Sequence, residues 1–423
     1  MSIKKTSSGR RSFLLGLGSL GGLGIATLLH KLNSDSVSAQ QISKYLNNKS
    51  NKLNKDNGAE SLRQIAASKG ILYGGFHQRS PNDFAQDLKF QRTFLEDYGL
   101  IVGGFFGVTV GPFGLSTQLS GASNYNFSEI DPFFNFAQQN NLAFRGHPMI
   151  WNQFNSPWLV EKFKSPNTTN AEIEQIFANH ISTLGKKYAG KVNSWDVVNE
   201  VINVEDGRPD GLRDTMVSGF NGDKYPTWLK FLGPGYIQRA FVLAHEADPG
   251  AKLILNETAL EYSNALGNSY WEKRRSALLA LLTKLKANGT PIHALGLQSH
   301  LLARFNKDFD GNKFRKFLSE VASLGLKIVI SELDVSDTEL PQNIEVRDRI
   351  VAESYYEYLS VVLDEPAVTT VVNWGLTDRY TWLSDFAPRK DGAQVRPLLR
   401  DRQYNPKPAW KAVARALKEA PAR

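Results

Sequence analysis

Eight short runs rich in Ile, Val, Leu and aromatic residues recur along the chain, and segments with helical periodicity separate them. Runs of this composition are typical of strands that are buried on both faces of a parallel sheet. Eight such strands alternating with helices over roughly 360 residues favour a (β/α)8 barrel over an open, doubly wound sheet. No phosphate-loop or dinucleotide glycine pattern opens any of the helices. We therefore predict an α/β protein whose single large domain is a (β/α)8 TIM barrel. The runs span 71–76, 100–110, 142–150, 192–199, 252–259, 294–301, 327–335 and 369–377.

Two of the intervening segments show the helical pattern clearly. In "AEIEQIFANHISTLGKKYA", Ile173, Ile176 and Phe177 recur at the spacing of one helix face. In "YWEKRRSALLALLTKLKANG", we predict that the helix ends with Gly289 as its C-cap, because glycine readily adopts the left-handed conformation that ends many helices.

The first 39 residues have the layout of an export signal. A basic segment precedes an apolar, glycine-rich run (13–29), and the small residues 37–39 provide a cleavage point. The pair Arg10-Arg11 with Phe-Leu shortly behind it resembles a twin-arginine signal. The alternative is an uncleaved membrane anchor, but the five glycines of the apolar run argue against it. We expect a signal peptide over 1–39 and a periplasmic or extracellular protein with no membrane attachment in its mature form.

The positive charge of the chain is concentrated at its start. Residues 1–39 contribute +4 and the Lys/Asn-rich stretch 40–58 contributes +3, which leaves one unit of the net +8 for residues 59–423. A nearly neutral body does not support nucleic-acid binding. The chain has no cysteine, so disulfides and thiolate metal sites are excluded. We predict a polar spacer over 40–58 and a monomeric catalytic domain over 59–423.

Polar and aromatic residues stand where the predicted strands end. In (β/α)8 barrels, active sites lie at the carboxyl ends of the strands, so these side chains should line one bowl. Two carboxylates together with aromatic platforms suit glycoside hydrolysis, in which one carboxyl group donates a proton and the other stays ionised. No His-Glu-x-x-His or comparable metal-ligand spacing occurs. The residues concerned are His147 and Trp151, Asn199 and Glu200, Asn256 and Glu257, Gln298 and His300, Glu332, and finally Trp374 and Trp382.

Several of these positions fall in longer motifs. The segments "RGHPMIW", "SWDVVNE", "GLQSHL", "ISELDV" and "VVNWGLTDRYTWL", with the tail "PLLRDRQYNPKPAW", resemble the landmark segments of glycoside hydrolase family 10. The resemblance runs in order from about residue 62 to residue 413. Members of that family are mostly retaining endo-1,4-β-xylanases on a (β/α)8 barrel, so the resemblance implies this fold and this activity.

Carried over position by position, the resemblance implies a role for each site residue. Glu200 is the general acid/base and Glu332 the nucleophile, and retention requires their carboxyl groups to lie about 5–5.5 Å apart. Asn199 bonds the 2-hydroxyl group of the sugar. The remaining residues have supporting roles: His300 beside Glu332, Gln298 on the same strand face as His300, and His147, Trp151, Trp374 and Trp382 around the sugar at the cleavage point.

Other polar residues are expected to be structural. We expect Glu257 and Asp334 to fix loops by hydrogen bonding, and Asp196 to have a partner inside the barrel. The remaining histidines show no pairing pattern and are expected to be structural or exposed: His77, His180, His245 and His293.

The chain departs from the family pattern in the segment after the second strand. Family members carry a Glu-Asn…Lys-Trp segment there, which grips a sugar one subsite further along, whereas this chain reads "IVGGFFGVTVGPFGL". Each lost hydrogen bond to a charged group is worth about 1.5–3 kcal/mol, so we expect this subsite to be weakened. In addition, Asn152 follows Trp151 where the family has histidine, and Thr258 replaces a tyrosine.

These observations predict a retaining, endo-acting hydrolase of a β-1,4-linked polysaccharide, foremost an endo-1,4-β-xylanase that needs no cofactor and no metal. The alternatives are a β-1,4-glucanase or a mannanase-like glycanase, and a weakly active, glycan-binding relative. A pure binder has no need for both Glu200 and Glu332, which argues against the last of these.

Overall fold

The computed structural model describes residues 60–104, 123–153, 155–217, 224–263 and 269–423. The predicted signal peptide and spacer therefore lie outside the described residues. The same holds for most of the atypical segment after the second strand, from residue 105 onward.

Eight parallel strands form a closed barrel. Each strand pairs with the next along the chain, and the eighth pairs with the first in the register Leu72 to Thr370. Closure leaves no edge and excludes the open sheet, so the predicted (β/α)8 barrel is confirmed. Each of the eight predicted runs overlaps one barrel strand. The strands are β1 (Leu72–Phe76), β2 (Leu100–Gly104), β3 (Ala143–His147), β4 (Ser194–Asn199), β5 (Lys252–Glu257), β6 (Ala294–Leu297), β7 (Lys327–Ser336) and β8 (Val368–Asn373).

Helices surround the barrel, and their apolar faces pack against the strands. The helices are α1 (Leu62–Ser68), α2 (Pro81–Gln86), α3 (Leu88–Asp97), α4 (Asp131–Gln139), α5 (Pro157–Lys164), α6 (Asn170–Lys187), α7 (Trp228–Leu232), α8 (Tyr236–Ala247), α9 (Tyr270–Ala287), α10 (Gly311–Ser323), α11 (Ile344–Val362), α12 (Leu383–Phe386) and α13 (Pro408–Glu419). Shorter elements also occur: strands Ile150–Trp151, Thr215–Val217, Lys224–Pro226 and His300–Leu302, and 3-10 turns Val204–Asp206 and Ala303–Asp308.

The two helices predicted in detail are present with shifted ends. α6 begins after a capping box in which Thr169 and Glu172 satisfy each other's backbone N–H groups, and its predicted apolar face is buried. α9 ends at Ala287, and its C-cap is Asn288 rather than the predicted Gly289. Gly289 follows in the left-handed conformation, with φ of 68°, so the predicted glycine ends the helix from the position after the C-cap.

Within the described residues, no helix combines the length and the apolar character that crossing a membrane requires.

At some glycines of the barrel strands, neighbouring side chains pack so closely that no Cβ atom would fit. A Cβ atom added to Gly146 on β3 would lie 2.1 Å from the ring of Trp195 on β4. That indole is fully buried, and its N–H donates to Asp248 at 3.1 Å, so it cannot easily move. Glycine at position 146 therefore leaves the space that the ring of Trp195 occupies between β3 and its neighbour β4.

We predict that Gly146→Ala lowers the free energy of unfolding by about 1–3 kcal/mol, because the added methyl group overpacks a rigid contact. Chemical denaturation monitored by circular dichroism measures the change. Gly235→Ala is the matched control, because its added Cβ meets nothing within 4 Å and its φ is negative. Equal stability changes in the two variants would contradict the packing argument.

Candidate active site

A cavity of about 340 Å³ opens at the carboxyl ends of the barrel strands. The nine side chains that were assigned a catalytic or substrate-binding role all line it, although they come from the ends of five different barrel strands. Its lining includes His147, Trp151, Asn199, Glu200, Gln298, His300, Glu332, Trp374 and Trp382. Each strand end delivers one or two of these groups, so barrel closure itself assembles the site.

Glu332 on β7 is a buried carboxylate with hydrogen-bond donors on both oxygens. Its side chain is 5% exposed. Oε1 accepts the amide of Asn256 at 2.7 Å and lies 3.8 Å from Nδ1 of His147, while Oε2 lies 3.3 Å from Nε2 of His300. Burial by itself raises the pKa of Glu332, but the charge of His147 and the hydrogen bond and charge of His300 outweigh it and hold the pKa below its ordinary value. This carboxyl group is built to stay ionised.

His300 bridges two carboxylates. Its Nδ1 lies 2.9 Å from Oδ1 of Asp334, and its Nε2 faces Glu332. Burial alone lowers the pKa of His300, but the charge of Asp334, its hydrogen bond and the contact with Glu332 together raise it well above the ordinary value. Asp334 is fixed in turn by the indole N–H of Trp382 at 2.7 Å. The imidazole therefore carries a proton toward Glu332.

Glu200 follows the last residue of β4 and has different surroundings. It is partly exposed. Its Oε1 accepts the amide of Gln298 at 2.9 Å, and the amide of Asn199 lies at 3.5 Å. Among the described residues, its side chain contacts neutral amides rather than imidazoles or guanidinium groups. A carboxyl group at the open side of the cavity, next to neutral donors, is suited to exchange protons with a bound molecule.

A chain of side-chain amides connects the two carboxyl groups. Gln298 donates to Glu200 at 2.9 Å and approaches Oδ1 of Asn199 at 3.3 Å, and the same oxygen accepts Asn256 at 2.9 Å. Asn256 also donates to Glu332. The side-chain oxygen of Asn256, Oδ1, accepts the hydroxyl of Ser331 at 2.7 Å. This bond determines that the NH2 end of the amide points to Glu332. The amides therefore set the separation and orientation of the two glutamates.

A buried charge network supports the floor of the cavity. Both carboxylate oxygens of Asp196 on β4 accept Nη2 of Arg145 on β3, at 2.6 and 2.7 Å, and Oδ2 also lies 2.7 Å from Nδ1 of His147. Burial alone raises the pKa of Asp196, but the charge of Arg145 and the hydrogen bond of His147 hold it below its ordinary value. As predicted, Asp196 has its partners inside the barrel, and one of them positions His147.

Aromatic rings form the walls of the cavity. Trp374 stacks on Phe76 with ring centroids 4.3 Å apart, and its edge faces His147 at 5.3 Å. Trp382 packs on His300 at 5.0 Å and on Phe386 at 4.7 Å. Phe386 is 69% exposed at the rim. Flat apolar faces beside amides and carboxylates are suited to sugar rings, which combine C–H faces with hydroxyl edges.

Of the two acidic residues expected to fix loops, Asp334 instead lines the cavity and bonds His300 and Trp382, whereas Glu257 has purely structural contacts. Both oxygens of the buried Glu257 are used, by Arg274 at 2.7 Å and by the N–H groups of Ile202 and Thr258 at 3.0 and 2.9 Å. The other histidines lie outside the cavity. His77 stacks on Phe133, His180 bonds the carbonyl of Met149, His293 accepts the N–H of Leu253, and His245 is exposed.

Two departures from the family pattern have different consequences. Asn152 is fully buried, and its backbone carbonyl accepts the hydroxyl of Tyr225 at 2.8 Å and the amide of Asn155 at 2.7 Å. It does not line the cavity, and its side-chain oxygen accepts the N–H of Trp228 at 3.4 Å, so its side chain belongs to the scaffold. Thr258, in contrast, lines the cavity and presents a small side chain there.

The structure corrects one prediction about the strands and adds residues that the sequence did not reveal. β6 ends at Leu297, and Ser299 is left-handed with φ of 61°, so Gln298 and His300 are not two positions of one regular strand. Asn256 and Glu257 were expected in the bowl, but neither lines the cavity: Asn256 bonds Asn199 and Glu332, and Glu257 bonds Arg274. Arg145 was not singled out from the sequence. For Arg145, its place two residues before His147, on the same strand face, was an available signal.

In the described part of the chain, no group of three or more histidine and acidic side chains has an arrangement that could hold a metal ion. The carboxylates of the cavity face imidazoles and amides instead.

We predict that Asp196→Asn lowers the free energy of unfolding by about 3–5 kcal/mol, because it leaves the guanidinium group of Arg145 buried without its charged partner. Both side chains are at most 1% exposed. Denaturant titration measures the loss. Asp364→Asn, which breaks the exposed pair with Arg315, is the control and should change stability by less than about 1 kcal/mol. Similar losses in both variants would contradict this account of the network.

Comparisons with known proteins give a consistent result. The sequence model of the family described as glycosyl hydrolase family 10 matches residues 109–416. The chain is 33% identical over 300 residues to endo-1,4-beta-xylanase A of Caldicellulosiruptor sp. (strain Rt8B.4), which covers 68% of this chain and 39% of that protein. It is 30% identical over 300 residues to endo-1,4-beta-xylanase B of Thermotoga neapolitana, which covers 70% of this chain and 76% of that protein. The chain thus spans well under half the length of the first of these relatives.

A solved structure is similar over most of the barrel. Xylanase 10B from Thermotoga petrophila RKU-1, in complex with xylobiose, superimposes with a TM-score of 0.70 at 26% sequence identity, covering 86% of this chain and 98% of that one.

Proposed function

Because the chain belongs to glycosyl hydrolase family 10, we propose that it cleaves β-1,4-linked xylan at internal bonds with retention of anomeric configuration. The observation that carries the proposal is the unequal environment of two glutamates in one cavity. Glu332 is buried between two imidazoles that keep it ionised, whereas Glu200 is partly exposed and bonded to neutral amides. Glycoside hydrolysis requires this division between an ionised carboxylate and a proton donor.

In the first step, the carboxylate of Glu332 attacks the anomeric carbon. Glu200 gives its proton to the glycosidic oxygen as the bond to the leaving sugar breaks, and a glycosyl ester on Glu332 forms. Positive charge develops at the anomeric centre during this step. The ionised Glu332 stabilises that charge in the low-dielectric cavity, where the interaction is stronger than in water.

In the second step, Glu200 acts in the opposite sense. Its carboxylate accepts a proton from a water molecule as the oxygen of that water attacks the anomeric carbon, and the ester bond to Glu332 breaks. The cycle leaves Glu200 protonated and Glu332 ionised, as at the start. Asn199 lies within reach of both carboxyl groups through Gln298 and Asn256, which suits it to bond the sugar hydroxyl next to the reacting carbon.

Xylan is proposed as the substrate because the relatives described above are named xylanases and the similar structure contains xylobiose. The atypical segment after β2 predicts a weak grip one subsite beyond the cleavage point. We therefore propose that the substrate is bound mainly by the residues that line the cavity at the cleavage point, and only weakly by the next subsite.

We also propose that the protein is exported through the twin-arginine route and acts as a monomer outside the cytoplasm. The supporting observations are the Arg10-Arg11 pair with the apolar run behind it, and a polysaccharide substrate that cells meet outside the cytoplasm.

We predict that the purified chain releases reducing sugar from xylan faster than from mixed-linkage glucan or mannan. Glu332→Gln should reduce release by roughly three or more orders of magnitude, because it removes the nucleophile. Proton NMR of the first products should show the β anomer before mutarotation. Faster release from glucan or mannan would favour a glycanase of different specificity, and binding without release from any polymer would favour a glycan-binding protein.

The pH dependence should follow the lowered pKa of Glu332. Activity requires this group ionised, so kcat/KM should persist as the pH falls below about 4.3, the ordinary glutamate value. His300→Asn removes the imidazolium charge, which should raise the pKa of Glu332 and move the acid limb to higher pH. The exposed His245→Asn is the control and should leave the limb in place. An acid limb that does not move in His300→Asn would contradict the assignment of Glu332 as the ionised group.

A further inference from the structure

The backbone leaves the strand conformation at the residue that delivers the proton donor to the cavity. Consecutive residues of a strand point to opposite faces of a sheet. Nevertheless, Asn199 and Glu200 both line the cavity. The φ of Glu200 is 57°, a left-handed conformation that residues with a long side chain adopt rarely. The direction of the Glu200 carboxyl group therefore depends on the contacts that hold this conformation.

Hydrogen bonds hold the main chain on both sides of Glu200. The N–H of Glu200 donates to the carbonyl of Asn256 at 3.0 Å, which ties it to β5. The carbonyl of Glu200 accepts Nε of Arg213 at 2.8 Å. In the described part of the chain, no other side chain bonds this carbonyl. On the carbonyl side, the conformation thus depends on one arginine thirteen residues further along the chain.

Arg213 is itself held in place. Its N–H donates to the carbonyl of Val201 at 2.8 Å, and Thr227 donates its hydroxyl to the carbonyl of Arg213 at 3.0 Å. Its guanidinium group also reaches the carbonyl of Ile202 through Nη2 at 3.3 Å. A planar guanidinium group that bonds two carbonyls fixes their relative orientation, which a flexible ammonium group does not do in the same way.

We propose that Arg213 is a positioning residue for proton transfer by Glu200. It does not line the cavity, and its hydrogen bonds go to the main chain that carries Glu200. By holding the left-handed conformation, it directs the carboxyl group toward the glycosidic oxygen without contacting substrate. This inference rests on the proposed function. The inference goes beyond the proposed function because it predicts that the loss of Arg213 impairs proton transfer and leaves attack by Glu332 intact.

The test compares two substrates that differ in their need for a proton. The leaving sugar of a xylooligosaccharide needs a proton on its glycosidic oxygen, whereas the dinitrophenolate of 2,4-dinitrophenyl β-xylobioside is stable enough to leave without one. In the full chain, Arg213→Gln and Arg213→Lys should lower kcat/KM on the oligosaccharide by about 10- to 100-fold and on the aryl glycoside by less than about 3-fold. Glu200→Gln provides the reference pattern for lost proton donation. Arg208→Gln, which breaks the partly exposed pair with Asp210 on the same loop, is the matched control and should change neither value.

The possible outcomes separate the inference from the proposed function. Equal losses on both substrates would give Arg213 a merely structural role and overturn the inference, and so would unchanged values on both. Thermal melting of each variant identifies loss of folding, and the Lys variant keeps the comparison available if the Gln variant unfolds. An unmodified chain that cleaves neither substrate would overturn the proposed function, and this inference with it.

Discussion

An ionised carboxylate buried at the mouth of the barrel is the constraint on which the rest of the site depends. Moving an unpaired charge out of water costs several kcal/mol even after relaxation, so Glu332 requires compensation from its neighbours. His300, His147 and Asn256 supply it. Each imidazole in turn faces a second carboxylate, Asp334 or Asp196. These groups come from β3, β4, β5, β7 and the segment after β6. Most of the barrel therefore contributes to stabilising the charge of Glu332.

The same mouth of the barrel contains backbone conformations that cost energy. Non-glycine residues with positive φ follow β1, β4, β5 and β6, namely Gln78, Glu200, Ala259 and Ser299. Each such residue costs of order 1–3 kcal/mol and persists only where the surrounding structure holds it. Closure of the eight strands provides that support, since a strand paired on both sides cannot relax at its end. The stability of the barrel therefore offsets the cost of these strained residues. Arg213 bonds the main chain of one of them, Glu200, which is the proposed proton donor.

Much of the fold and of the site could be predicted from the sequence, for identifiable reasons. A strand buried on both faces needs a continuous apolar run, so the eight strands were visible as composition, and a charged or amide residue at the end of such a run marks the cavity. What could not be predicted depends on contacts between strands. The role of Asn256 requires that its amide meet Asn199 on one neighbour and Glu332 two strands away. Arg213 reaches Glu200 only because residue Leu212 pairs with Ile202 in an antiparallel bridge, which no periodicity reveals.

The titration of Glu332 and His300 also limits the pH range in which their charges stabilise the fold. The pKa of Glu332 is lowered in the folded state, so its contribution to stability is present above its ordinary value and is lost as the pH falls through the lowered one. The pKa of His300 is raised, so its contribution is complete below its ordinary value and is lost as the pH rises through the raised one. With ordinary values of about 4.3 and 6.5, both contributions are complete together only in the mildly acidic range between them. The interaction that keeps the proposed nucleophile ionised thus also makes the barrel mouth most stable under mildly acidic conditions.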